Sequence, residues 1–169
     1  MENKQKIFDR LFTEYRDWIF RLCYSYTRSE TQAEDLVQEC FSKVWINLSS
    51  FEHRSDYSTW IYRIAANTCL MQLRKEKNNP IEYHDNLKDN FSEEKYEDKE
   101  EQSNVLYSAI AQLNEIDRII ISMVLEDVPQ KQIGEVLGIT ENNVNIKVYR
   151  IKKQLKELLS KNNGYGKGF

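Results

Sequence analysis

Residues Gln130–Tyr149 read QKQIGEVLGITENNVNIKVY. Ile133 and Leu137 form an apolar pair one helical turn apart, and Gly134 is a small residue where a second helix would cross closely. Gly138 can take φ > 0 at a tight turn, Ile139 plugs that turn, and Thr140 can cap the helix that follows. Val144 and Val148 pack that helix back onto the first. A small residue, a Gly four positions later and an aliphatic residue six after that is helix-turn-helix spacing. Pro129, placed as the first helical residue, starts the unit.

The second helix of the unit then turns Asn142, Asn143, Asn145, Ile146, Lys147, Tyr149, Arg150 and Lys153 outward. Asn pairs with adenine edges, and Lys or Arg with guanine or phosphate. Lys147, Arg150, Lys152, Lys153 and Lys156 crowd into ten residues without an acid. Duplex DNA is the ligand this pattern favours. A solvated charged helix in a small bundle is the plainer alternative.

The rest of the chain is as sparsely punctuated as this unit is densely. Its 169 residues hold five glycines and two prolines, and none of the seven precedes Pro80. Strand-rich barrels and sandwiches need more turns that only Gly allows, and a glycine-lined phosphate loop has no place to form. Long helices are expected instead, making an all-α fold. Spacing predicts three in the first block, the second carrying Ala33, Leu36, Val37, Cys40, Phe41 and Val44 on one face. Thr31 and Glu34 suggest a capping box at its start. Four more helices follow, from Val105 to Leu113, Glu115 to Glu126, Gln130 to Leu137 and Glu141 to about Ser160.

Charge divides the chain in the same way. Residues 1–78 carry 12 Lys/Arg and 11 Asp/Glu, residues 79–103 carry 3 and 9, and residues 104–169 carry 9 and 7. The middle segment is acidic and poor in aliphatic residues, and it reads as a linker following Pro80. The expected organisation is therefore a helical domain over 1–78, an acidic flexible linker over 79–103, a helix-turn-helix domain over 104–160 and a flexible tail over 161–169.

Other function classes find no support. No apolar stretch is long enough to span a bilayer, and the start, MENKQKIFDR, lacks an apolar signal region, so a cytoplasmic location is expected. Cys23, Cys40 and Cys69 lie in apolar helical patterns and read as buried thiols. With only His53 and His84 to help, no metal site is expected, and no cofactor or small-molecule substrate. No nucleophile with a base, and no catalytic carboxylate pair, stands out, so the chain is not expected to be an enzyme.

The segment Phe51–Lys77 interleaves Phe51, Tyr57, Trp60 and Tyr62 with Arg54, Arg63, Arg74, Lys75 and Lys77. Bases stack on aromatic rings and cations follow phosphates, a combination suited to single-stranded nucleic acid, although Trp60 is equally suited to a core.

AEDLVQECFSKVW (Ala33–Trp45), STWIYRIAANTCLMQLRKEK (Ser58–Lys77) and the helix-turn-helix occur here in that order. Over roughly residues 7–160 the chain resembles an extracytoplasmic-function (ECF) sigma factor, the minimal two-domain type of the sigma-70 family. The resemblance implies a three-helix sigma domain 2, a four-helix sigma domain 4 and three binding surfaces. Asp35, Leu36, Gln38, Glu39 and Trp45 match positions that dock on core RNA polymerase. Asp35, Gln38 and Glu39 share one helical face and can accept hydrogen bonds from arginines, or simply be solvated. Phe51, Trp60, Tyr62, Arg63 and Asn67 match positions that recognise and melt the promoter −10 element, and Arg54, Arg74 and Lys75 extend that basic surface. Ile61, Ile64 and Ala65 are expected in the core. Thr140, Asn142, Asn143, Asn145, Ile146, Lys147, Tyr149, Arg150 and Lys153 are assigned to the duplex −35 element. After Val144 the commoner family pattern has Arg and Ser where Asn145 and Ile146 stand here, so the resemblance does not carry over the family's usual G-rich −35 preference. The linker resembles the connector that threads toward the polymerase cleft, with a plain tether as the alternative. An anti-sigma factor is a further partner the resemblance implies. The rivals are a helix-turn-helix regulator acting without polymerase and a protein-interaction adaptor.

Overall fold

The computed structural model describes residues 3–78 and 98–161, and these form helices joined by short turns. The expected linker residues 79–97 and tail residues 162–169 lie outside the described residues. The N-terminal domain is α1 (Lys4–Thr27), α2 (Glu30–Asn47), a 3-10 turn (Leu48–Ser50) and α3 (Tyr57–Asn78). The C-terminal domain is α4 (Asp98–Ile110), α5 (Glu115–Leu125), α6 (Gln130–Leu137) and α7 (Glu141–Lys161). No strand occurs among the described residues.

Each helix boundary has a local cause. Asn3 caps α1 by accepting from the Gln5 amide, and Arg28 ends it in the left-handed region at φ 53°. Only Arg28 and Ser29 separate α1 from α2, and Ser29 is the cap, accepting from the Gln32 amide. The expected Thr31–Glu34 box does not form. Thr31 is already helical, and Glu34 is held 2.7 Å from an Arg16 guanidinium nitrogen. Asn114 caps α5 through the Asp117 amide at 2.9 Å. Pro129 caps α6 from outside, with ψ 140°, one residue earlier than the N1 position expected of it. Helix α4 begins at Asp98, so Asp98–Ser103 of the segment read as linker is helical. Good helix formers such as Glu101 and Gln102 extend backwards a helix whose Ala109 and Ile110 are anchored in the core and which packs on α7.

Leu11, Ile19, Leu22, Leu36, Val37, Val44, Ile61 and Ala65 fill the first core, with Ile64 packed against its edge. Ile119, Ile120, Met123, Ile133, Val144, Val148, Ile151 and Leu155 fill the second. The three thiols are fully buried, one from each helix of the first domain, and Cys23 Sγ lies 3.8 Å from Cys69 Sγ. A hydrogen bond with Cys23, together with burial, pushes the Cys40 thiol far above its ordinary pKa. Cys40 is thus a protonated packing group, shielded from the solvent reactivity that a thiolate would show.

The domains touch along several seams, α1 against α5 and α4, and α3 against α6 and α5. The contacts named along them are largely polar. Arg21 Nε lies 2.5 Å from Glu126 Oε1, Tyr26 donates to the Glu115 carbonyl, Lys77 pairs with Glu115, and the Arg118 guanidinium covers the Tyr26 ring. A seam of this character resembles a separable interface more than a shared core.

Candidate nucleic-acid interface

The helix-turn-helix closes through its two glycines. Gly138, at φ 70°, ends α6, and the Ile139 amide donates to the Gly134 carbonyl at 3.0 Å. Thr140 Oγ1 accepts from the Asn143 amide at 3.2 Å, starting α7. Thr140 is thereby engaged as a cap at the turn. The α7 face beyond it is open: Asn142, Asn143, Asn145, Ile146, Tyr149, Arg150 and Lys153 are exposed, and Lys147 is half-buried. Tyr149 keeps 75% of its surface in solvent, and Ile146 58%. An aromatic and an aliphatic residue this exposed beside cations offer base-edge and methyl contacts that bulk solvent does not reward. Arg150 is also held from behind, its Nη2 lying 3.7 Å from Oδ2 of the buried Asp117.

A second site forms where the chain enters α3. The rings of Phe51 and Tyr57 lie 4.7 Å apart at 29°, and those of Phe51 and Trp60 4.7 Å apart at 33°. His53 adds an edge against Phe51 and adopts φ 53°, a conformation costly for a residue with a Cβ. Three aromatics separated in sequence thus become one half-buried platform. Arg54 is exposed beside it and paired with Glu52 at 2.6 Å. Asn67, Arg74 and Lys75 are exposed further along α3.

Two residues assigned to this site are committed elsewhere in this structure. The Tyr62 ring packs 4.4 Å from Trp18 and 5.7 Å from Tyr15, in the seam of α3 with α1. Burial raises its pKa, with the nearby acids Glu126 and Glu14 adding to it. Arg63 is exposed, but its Nη2 donates to the Glu135 carbonyl of α6 at 2.7 Å. Beside it, Gln132 Nε2 donates to Ser58 Oγ at 2.6 Å and to Thr59 Oγ1 at 3.0 Å. These partners are more than seventy residues away in sequence, beyond any local pattern.

The α2 face divides similarly. Asp35 and Gln38 are exposed, and Glu39 is half-buried and paired with Lys43 at 2.8 Å. Leu36 is only 5% exposed, because it belongs to the opposite stripe with Val37, Cys40 and Val44, so it supports the face from the core without lying on it. Trp45 is 38% exposed, with Lys4 Nζ 4.3 Å from its ring and Phe8 packed on its edge. Phe12 and Ile46, to which sequence reading assigned no functional surface, join Phe8, Gln38, Phe41 and Trp45 around an apolar groove between α1 and α2. Ile46 fell on the polar side of the helical pattern, and that mismatch was the available signal.

Among the described residues no group of His, Cys, Asp and Glu is placed to hold a metal ion, and no helix is long and apolar enough to cross a membrane.

Residues 11–79 match the family described as Sigma-70 region 2, and residues 103–155 that described as Sigma-70, region 4. The chain is 30% identical to the ECF RNA polymerase sigma factor SigW of Bacillus subtilis, over 91% of each chain. It is 28% identical to RNA polymerase sigma factor SigV of the same organism, over 88% of this chain and 89% of the relative. In fold it resembles the sigma factor RpoE of Bartonella quintana, solved in complex with the anti-sigma factor NepR, at TM-score 0.71 and 20% identity, covering 92% of this chain and 98% of that one. CnrH, solved in complex with the cytosolic domain of CnrY, gives TM-score 0.70 at 20% identity, covering 92% and 89%. With both regions matched in order and an ECF relative aligned over nearly its whole length, the chain belongs to the ECF sigma factors of the sigma-70 family.

Proposed function

We infer that the chain is an alternative sigma factor that joins core RNA polymerase, directs it to a specific set of promoters and assists their opening. The observation that carries this reading is the pairing, in one chain, of an aromatic platform at the start of α3 with an outward basic face on α7. One suits an unstacked single strand and the other a duplex. A helix-turn-helix regulator acting without polymerase has no use for the first. The work is binding and positioning, with no bond made or broken by the protein, and its place is the cytoplasm where the polymerase acts.

The division of labour follows the domain boundaries read from sequence. Residues 1–78 bind polymerase and the −10 element, residues 79–103 connect, residues 104–160 read the −35 element, and no role is assigned to residues 161–169. Asp35, Gln38, Glu39 and Trp45 dock the polymerase, with Leu36 holding their helix in place. Phe51, Arg54, Trp60, Arg63, Asn67, Arg74 and Lys75 serve the −10 strand, with Tyr62 acting through the packing of α3. Thr140, as the cap of α7, supports Asn142, Asn143, Asn145, Ile146, Lys147, Tyr149, Arg150 and Lys153 at the −35 duplex. An anti-sigma factor is a natural further partner, as RpoE of Bartonella quintana was solved with one.

Promoter engagement also requires the two domains to part. Elements centred near −10 and −35 are about 85 Å apart along B-form DNA, at about 3.4 Å per base pair. A compact chain of this length has a radius of gyration of only about 15 Å. The 19 residues 79–97 can extend by about 65 Å, enough with the widths of the domains to bridge that distance. Arg63 is then released from Glu135.

Runoff transcription with purified core polymerase tests the reading. The chain is expected to bind the core and support initiation, and failure of both on every promoter tried would favour the polymerase-independent regulator. Asp35→Arg is expected to weaken core binding about tenfold, through like-charge repulsion with the expected arginines. Unchanged affinity would remove α2 from the docking surface.

A further inference from the structure

The buried Asp117 belongs neither to the helix-turn-helix nor to any surface assigned above, yet it reaches the recognition helix. It stands in the first turn of α5 and is 2% exposed. Its Oδ2 accepts from Asn114 Nδ2 at 2.7 Å, while Asn114 Oδ1 accepts from the Asp117 amide at 2.9 Å. This reciprocal cap fixes the carboxylate. Its other oxygen, Oδ1, is buried without a hydrogen-bond partner. The nearest cation is Arg150, whose Nη2 lies 3.7 Å from Oδ2 while its side chain stays 59% exposed.

Capping alone does not explain this arrangement. A cap at a helix start is well served by an exposed carboxylate, and burying one with an unsatisfied oxygen is costly unless a charge offsets it. The guanidinium suits this double duty. It presents five donors in one planar fork, so one edge can face a carboxylate while the other faces DNA. A long side chain already held in one orientation loses less freedom when it meets its target.

We propose that Asp117 is a positioning residue for −35 recognition: from α5 it orients the Arg150 guanidinium on α7, so that Arg150 discriminates the −35 element and does not merely attract phosphate. This rests on the reading of Arg150 as a −35 contact. The carboxylate also partly neutralises Arg150, so removing it leaves sequence-independent attraction undiminished or stronger. Discrimination, and not overall affinity, is the quantity Asp117 controls.

The experiment uses holoenzyme reconstituted with core polymerase and two duplex promoters, one selected by the wild-type protein and one with its −35 element scrambled. The readout is the ratio of the two affinities, which a partly unfolded preparation lowers in neither direction because both affinities fall together. Asp117→Asn is expected to reduce the ratio about three- to tenfold, and to have no further effect in an Arg150→Ala background. Arg150→Lys, which keeps the charge and leaves Asp117 in place, is expected to reduce it similarly, since a compact ammonium cannot face both groups. If Arg150→Ala lowers the ratio but Asp117→Asn or Arg150→Lys leaves it at the wild-type value, the positioning role is overturned alone. If Arg150→Ala itself leaves the ratio unchanged, the assignment of Arg150 to the −35 element fails, and this proposal with it.

Discussion

Gly134→Ala is expected to destabilise the C-terminal domain by about 1–3 kcal/mol and to remove most −35 duplex binding with it. A Cβ built on Gly134 would lie 2.6 Å from the Ile139 carbonyl oxygen and 3.5 Å from the Glu141 amide nitrogen. The first separation is far inside van der Waals contact, and the opposing atom is backbone, so no side chain can swing aside. Relief requires α6 and the start of α7 to move apart, which breaks the turn that aims the recognition helix. For a chain of this size the loss corresponds to a fall in melting temperature of about 2–12 °C. Gly138 supplies the contrast. A Cβ there meets nothing within 4 Å, but the residue sits at φ 70°. Gly138→Ala therefore carries a conformational cost of about 1 kcal/mol, and Gly138→Asn less, since Asn tolerates the left-handed region. Thermal melts of the three variants followed by circular dichroism separate the two causes. A Gly134→Ala protein as stable as wild type would mean that the helices cross less closely than the structure has them.

This turn was legible in the sequence because each of its residues is constrained by backbone geometry. Gly134, Gly138 and Thr140 are demanded by a close crossing, a positive φ and a cap, and α6 spans Gln130–Leu137 as its pattern predicts. The start of α2 was misread for the complementary reason. The chain reverses at Arg28, which adopts φ 53° without being Gly or Asn, so nothing in its identity announces the turn. Ser29 and Gln32 carry the same S-x-x-Q signature as the box expected two residues later. The early start of α4 reflects anchoring by the core overriding a composition that by itself suggests a linker.

The candidate site was legible by residue type and only partly by position. Exposed cations and asparagines on α7 follow from helical periodicity, and so does the separation of Leu36 from Asp35 and Gln38 once the buried stripe is drawn. Tyr62 and Trp60 are two residues apart on α3, and periodicity places them on different faces without saying which face meets α1. Trp18 decides it, by taking Tyr62. The attachments of Arg63 to Glu135 and of Arg150 to Asp117 join separate elements, so only the assembled structure reveals them.

Trp60→Ala is the substitution expected to affect the −10 strand most. In the proposed reading, the platform of Phe51, Tyr57 and Trp60 receives a base that leaves the duplex stack, and the ring contacts offset the cost of unstacking. Stacking of this kind contributes about 1–3 kcal/mol per base, so affinity of the holoenzyme for single-stranded −10 DNA is expected to fall by about 5- to 150-fold. Trp60 is only partly buried and lies at the edge of the first core, so its truncation leaves Ile61 and Ala65 packed. Duplex −35 binding, carried by the other domain, is expected to remain within about twofold. Trp60→Phe keeps a stacking face and is expected to retain most of the affinity. Tyr62→Phe serves as the internal control, because Tyr62 acts through its ring against Trp18 and its hydroxyl has no part in the proposed contact. Measured by fluorescence anisotropy on the two DNA probes, an equal loss on both by Trp60→Ala would make Trp60 a core residue. A loss with Tyr62→Phe as large as with Trp60→Ala would move the strand-binding surface to the other side of α3.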